Sequence, residues 1–134
     1  MTQKAYTAGW FHSGDLGYKD EDGYFYIVYH LKDLIITDGE NVYPAEVERV
    51  IAENDDIFGN AVVGFPDERW GETIVAVVQP RPGATITIDA LCAHCERHLV
   101  VVDEILRNSA GKIDKIGLRR LVEEELTQRA GSAV

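Results

Sequence analysis

Up to Ile36, apolar and polar residues alternate in short runs broken by glycine. Tyr24-Phe25-Tyr26-Ile27-Val28 is an aromatic and β-branched run following the turn-forming Asp20-Glu21-Asp22-Gly23, which predicts a strand. Gly9, Gly14 and Gly17 interrupt the preceding segment, so it reads as β structure joined by turns. Leu34-Ile35-Ile36 predicts a second short strand, and the polar stretch Tyr29 to Asp33 reads as a linker. The period then lengthens. Gly39 allows a tight turn, Pro44 suits the first turn of a helix, and Val47, Val50 and Ile51 recur on one helical face.

Ala61 to Phe65 predicts a strand, and the loop Pro66 to Glu72 leads into Thr73 to Val78. That second run is apolar on both faces, which predicts a central strand ended by Pro80 and Pro82-Gly83. Thr87 or Asp89 can cap a helix through about Leu99, with Ile88, Leu91, Cys92, Cys95 and Leu99 as its apolar stripe. Val100 to Val102 predicts a short strand, and Arg107 to Lys112 a polar loop. A last helix from Ile116 to about Arg129 turns Leu118, Leu121, Val122 and Leu126 inward. The order β-β-α-β-β-α-β-α predicts a small α+β fold, a mostly antiparallel sheet flanked by helices.

Composition fits one ordinary domain: 134 residues, 46% hydrophobic and 27% charged. The 13 Lys and Arg against 23 Asp and Glu leave a formal charge of −10. That argues against nucleic acid and against an anionic membrane surface, both of which need a basic face. No apolar run is long enough to span a bilayer and no signal pattern opens the chain, so a cytoplasmic location is expected. Cys92 and Cys95 suit a reducing compartment. Cys92-Ala93-His94-Cys95 has a redox or metal-like spacing, but both cysteines fall on the apolar helical stripe, so no metal is expected.

Four stretches in order carry a family resemblance: Gly9 to Gly17 (GWFHSGDLG), Tyr29 to Asp33 (YHLKD), Asp38 to Glu48 (DGENVYPAEVE) and Asn108 to Lys112 (NSAGK), with Pro66 to Glu72 (PDERWGE) matching between them. Together the chain resembles the C-terminal part of adenylate-forming acyl-CoA synthetases. The resemblance implies residues 1–31 as a β-rich remnant of the large N-terminal domain and 32–134 as the C-terminal lid domain. It implies a reaction of carboxylic acid, ATP and CoA giving acyl-CoA, AMP and pyrophosphate. ATP or AMP and CoA would be substrates, Mg²⁺ the nucleotide counter-ion, and no cofactor would be tightly bound. The sequence holds no glycine-rich phosphate loop. A large adenylation domain, in cis or in trans, is therefore the expected partner, and the chain is expected to be inactive alone.

Lys112 occupies the position of the adenylation lysine, where a loop could carry its ammonium to the developing charge. Asp15 matches the carboxylate that accepts the ribose hydroxyls. His30 stands where the family usually has arginine; without a permanent guanidinium fork, nucleotide binding through this arm is expected to weaken. Lys32 matches the hinge, and Gly39, Glu40, Asn41 and Val42 the CoA or thioester loop. Leu99 runs directly into Val100, where the family usually has an intervening segment, and Leu106 replaces a usual proline. Strand edges bearing Tyr24, Tyr26 and Val28 predict a homo-oligomer or domain swap. The alternative to a ligase lid is a stand-alone, non-catalytic binding or oligomerisation module.

Overall fold

The computed structural model describes residues 5–91 and 98–132. Their contacts separate into two compact units, divided between Leu34 and Ile35.

The first unit is two antiparallel hairpins. β1 (Tyr6–Thr7) pairs with β2 (Trp10–Phe11) around Ala8 and Gly9, both at positive φ (51° and 85°). β3 (Asp15–Lys19) pairs with β4 (Phe25–His30). Its turn is closed by the Asp20 carboxylate, which accepts the Tyr24 N–H at 2.8 Å. The pairing slips between Leu16, opposite Tyr29, and Gly17, opposite Ile27, leaving Val28 as a bulge. Gly17 is needed there: a Cβ would lie 2.6 Å from the Tyr26 carbonyl oxygen. The expected linker is therefore shorter than its polarity suggested. Tyr29 and His30 complete the strand by pairing with Leu16 and Asp15, and only Leu31–Asp33 turn away, as one 3₁₀ turn. Tyr18 and Tyr26 stack at 5.0 Å, yet both strands stay open to solvent, with Phe25 79% and Ile27 72% exposed.

In the described residues of the second unit, a five-stranded sheet carries one helix on each face. β5 (Ile35–Thr37), β6 (Glu40–Val42), α1 (Pro44–Ile51), β7 (Ile57–Asp67), β8 (Gly71–Pro80), β9 (His98–Val101) and α2 (Lys115–Ser132) follow in chain order. β8 is central as its two-sided apolarity required. β7 runs antiparallel along one side, β9 lies parallel along Val75 to Val78 on the other, and β5 joins at Gly71. Alternation then sorts its side chains. Ala76 and Val78 join Ile35, Ile51 and Val62 in a core beneath α1; Val75 and Val77 join Ala61, Val63, Leu118 and Val122 in a core beneath α2.

One expected helix is corrected at its C-terminal end. Only a 3₁₀ turn at Ile88–Leu91 is described in that segment; Cys92 to Arg97, including the Cys-His stretch, lie outside the described residues. His98 and Leu99 belong to β9. Leu99 faces the first core and Val100 the second, and this two-residue alternation, satisfied by pairing with β8, wins over the helical spacing.

Candidate functional site

Lys112 lies in a short arm between the sheet and α2. Ile105, which is buried, anchors the entry: its N–H donates to Gln79 Oε1 at the far end of β8 (3.0 Å). The arm then folds back on itself. Asp114 N–H donates to the Leu106 carbonyl (2.9 Å), Arg107 pairs antiparallel with Ile113, and Asn108 N–H donates to the Lys112 carbonyl (2.8 Å). The Asn108 carboxamide oxygen accepts both Ala110 N–H (3.0 Å) and Lys112 N–H (3.1 Å), while Gly111 N–H returns to the Asn108 carbonyl (2.9 Å). Arg107 Nη1 donates to the Gly111 carbonyl at 3.0 Å. Gly111 sits at φ 78°, which admits glycine cheaply. Asp114 closes the arm as N-cap of α2, its Oδ1 accepting Gly117 N–H (3.0 Å).

The arm is therefore cross-linked rather than loose, which revises the expectation of a flexible loop. The Lys112 side chain stands out from it exposed, and its ammonium makes no hydrogen bond or ion pair among the described residues. Lys115, three residues on, is different. It pairs with Glu48 Oε1 (3.1 Å), which also accepts Val62 N–H (2.9 Å), so it belongs to the scaffold.

Gly39 lies at the tip of a hairpin. Asp38 and Gly39 have φ of 52° and 77°, a two-residue turn joining β5 to β6. Asp38 N–H donates to the Trp70 carbonyl (2.9 Å), and Ile36 N–H to Glu72 Oε2 (2.8 Å). Trp70 anchors the neighbouring turn, where Asp67 Oδ1 accepts the N–H groups of Arg69 and Trp70. Gly39 alone of the expected loop lies in the turn; Glu40, Asn41 and Val42 form edge strand β6, Glu40 and Asn41 exposed and Val42 against the first core. The Gly39 turn rests on Gly71 and the Lys112 arm enters at Gln79, eight residues along β8, about 26 Å at the rise of a strand.

Asp15 and His30 are brought together within the first unit. They are cross-strand partners in β3 and β4, and His30 Nδ1 meets Asp15 Oδ1. An ionised carboxylate can only accept, so Nδ1 carries the proton. The hydrogen bond from His30, then that involving Ser13, holds the Asp15 carboxyl below its ordinary range, with the charge of Lys32 adding to the effect. Lys32 is exposed in the 3₁₀ turn. Among the described residues no three His, Cys, Asp or Glu side chains gather in a metal-like group.

Sequence reasoning passed over Asn108 and Asp114. Both carried a signal: Asn and Asp two or three residues ahead of a glycine are common turn and cap formers. The local pattern names the residue type but not which N–H groups it will hold.

Residues 46–116 match the family model of the AMP-binding enzyme C-terminal domain. The chain is 39% identical over 130 residues to 2-succinylbenzoate–CoA ligase of a Geobacillus strain, covering 90% of this chain and 26% of that protein. It is 42% identical over 123 residues to indoleacetate–CoA ligase of Aromatoleum aromaticum, covering 85% and 24%. Among solved structures, ATP-bound MatB from Rhodopseudomonas palustris superposes with a TM-score of 0.79 at 36% identity, over 90% of this chain and 26% of that one. The chain thus spans about a quarter of the length of the relatives it matches. With the family model covering more than half of it and acyl-CoA ligases as its relatives, the chain belongs to the AMP-binding enzyme C-terminal domain family of the adenylate-forming enzymes.

Proposed function

We propose that this chain is the C-terminal lid of an acid–thiol ligase, working in the cytoplasm with a large adenylation domain carried in cis or in trans. The observation that carries this reading is Lys112: an exposed ammonium, unpaired among the described residues, at the tip of a braced arm. In the first half-reaction an acid's carboxylate oxygen bonds to the α-phosphorus of ATP and the bond to the pyrophosphate oxygen breaks. Lys112 stabilises the negative charge gathering there. Mg²⁺ arrives with the nucleotide as its counter-ion, and Asp15 accepts from the ribose hydroxyls.

In the second half-reaction the CoA sulfur bonds to the acyl carbon, AMP leaves with the electron pair, and the thiol proton passes to solvent. The Gly39 turn and the exposed residues Glu40 and Asn41 of β6 line this step, with Val42 fixing the strand from beneath. The two loops enter from opposite ends of β8, so they suit two successive presentations of one lid, with Lys32 as the hinge. The acid is a small-molecule carboxylate; fatty acids are one class of it.

The test is reconstitution. This chain is mixed with, or joined to, the large domain of a related ligase and supplied with its acid, ATP and CoA. Pyrophosphate release that disappears in Lys112→Ala is the expected result; release unchanged by that substitution would sink the reading. A second reading, a non-catalytic oligomerisation module, is favoured by the exposed β4 residues Phe25 and Ile27. It predicts self-association of the isolated chain, measurable by sedimentation, together with no activity in any pairing.

A further inference from the structure

We infer that Asn108 is a positioning residue for the adenylation step, fixing the backbone of Lys112 so that its ammonium is delivered to one point; this rests on the reading of Lys112 given above. Among the described residues, Asn108 is the one side chain that bonds the Lys112 backbone directly. Its Oδ1 takes the Lys112 N–H and the Ala110 N–H together, and its own N–H takes the Lys112 carbonyl. Arg107 clamps the next carbonyl, that of Gly111. Both peptide groups flanking Lys112 are thus tied to the two residues that open the arm, and the arm ends in a helix seated on the core through Leu118 and Val122.

Asn108 is itself exposed and takes no part in either core. Freed N–H groups at this arm can bond to water, so deleting the carboxamide leaves the fold nearly as stable while releasing the turn. The consequence falls on geometry. A lysine whose backbone wanders by about an ångström loses its alignment with a phosphorus centre, and such displacements cost on the order of a hundredfold in rate.

The reconstituted pair separates this role from a merely structural one. Asn108→Ala is expected to lower kcat for pyrophosphate release by about 10- to 100-fold, with KM for ATP and thioester formation from preformed acyl-adenylate changed by less than about twofold. Asn108→Asp, which keeps Oδ1 as an acceptor, is expected to stay within about threefold of the unsubstituted chain. In the isolated chain, Asn108→Ala should speed hydrogen exchange at the Lys112 and Ala110 amides and leave Leu118 and Val122 unchanged. The proposal is overturned if Asn108→Ala adenylates normally while Lys112→Ala does not, or if the Lys112 amide exchanges as before. If Lys112→Ala has no effect, or no large domain is activated, the reading of Lys112 falls first and Asn108 with it.

Discussion

Glu48 joins three elements through one oxygen. Its Oε1 accepts the Val62 N–H on the free side of β7 and the Lys115 ammonium from α2, while its own backbone lies in α1. Removing it leaves a fully buried strand residue's N–H and a half-buried cation without their acceptor. Glu48→Ala is expected to cost about 1–3 kcal/mol, and Glu48→Gln less because the amide oxygen still serves Val62; urea unfolding measures both. Two aspartates of the first unit respond to acid. Hydrogen bonding holds Asp15 below the ordinary 3.8. Burial pushes Asp20 up, but hydrogen bonds from the Tyr24 backbone, the Tyr26 side chain and the turn amides outweigh it and leave it lowered too. A depressed carboxyl contributes its full stability above the unfolded value and loses it as pH falls through the folded one. Tyrosine spectra should therefore report loosening of the β3–β4 hairpin only below pH 3.8, and Asp15→Asn should remove part of that acid response.

Among the elements, the turns and the central strand were the most legible in the sequence. Asp38-Gly39 carries the turn preference for positive φ, and the uninterrupted Thr73 to Val78 run can only lie between neighbours. α2 was equally plain, since Leu118 and Val122 are buried and Leu121 and Leu126 pack beside them. Leu99 and its neighbours were not, because four residues fit either period until β8 offers its open side. The β3–β4 bulge was hidden for a similar reason: it depends on which residues face each other across the pair. That bulge gives a sharp test. Gly17→Ala forces a methyl to within 2.6 Å of the Tyr26 carbonyl oxygen, so it should abolish the Tyr18–Tyr26 stacking signal in near-ultraviolet circular dichroism. At Gly39 the space is open and only φ is strained, so Gly39→Ala should cost about 1–2 kcal/mol with the fold retained. Around the candidate site, the loop carrying Lys112 ahead of α2 was legible in the sequence, whereas the bracing by Asn108 and Arg107 depends on bonds no residue pattern displays.

For the molecule as a whole, a formal charge of −10 opposes the open apolar strands of the first unit. Mutual repulsion opposes association at neutral pH and vanishes near the isoelectric point of about 4.7. Light scattering should therefore rise most steeply near that pH and fall again on either side. Phe25→Lys with Ile27→Lys on the exposed strand should flatten the rise. A flat profile in the unsubstituted chain would count against strand-mediated association.

The sheet of the second unit also sets an order of assembly. β7 and β8 are joined by a tight turn and pair over almost their full lengths, so their contacts are close in sequence. β9 reaches β8 only after the chain has crossed back to lie parallel, and Arg129 of the final helix fastens it by donating to the Leu99 carbonyl. Contacts between distant residues form late, because the intervening chain must first give up its freedom. The β7–β8 ribbon is thus the natural nucleus, and the pairings of β9 with Val75 to Val78 and of Thr37 in β5 with Gly71, both of which close long stretches of chain, come after it. The ribbon lies between Gly71, beneath the Gly39 turn, and Gln79, at the root of the Lys112 arm. On the proposed function, a nascent lid would therefore have a spine before it had either working end.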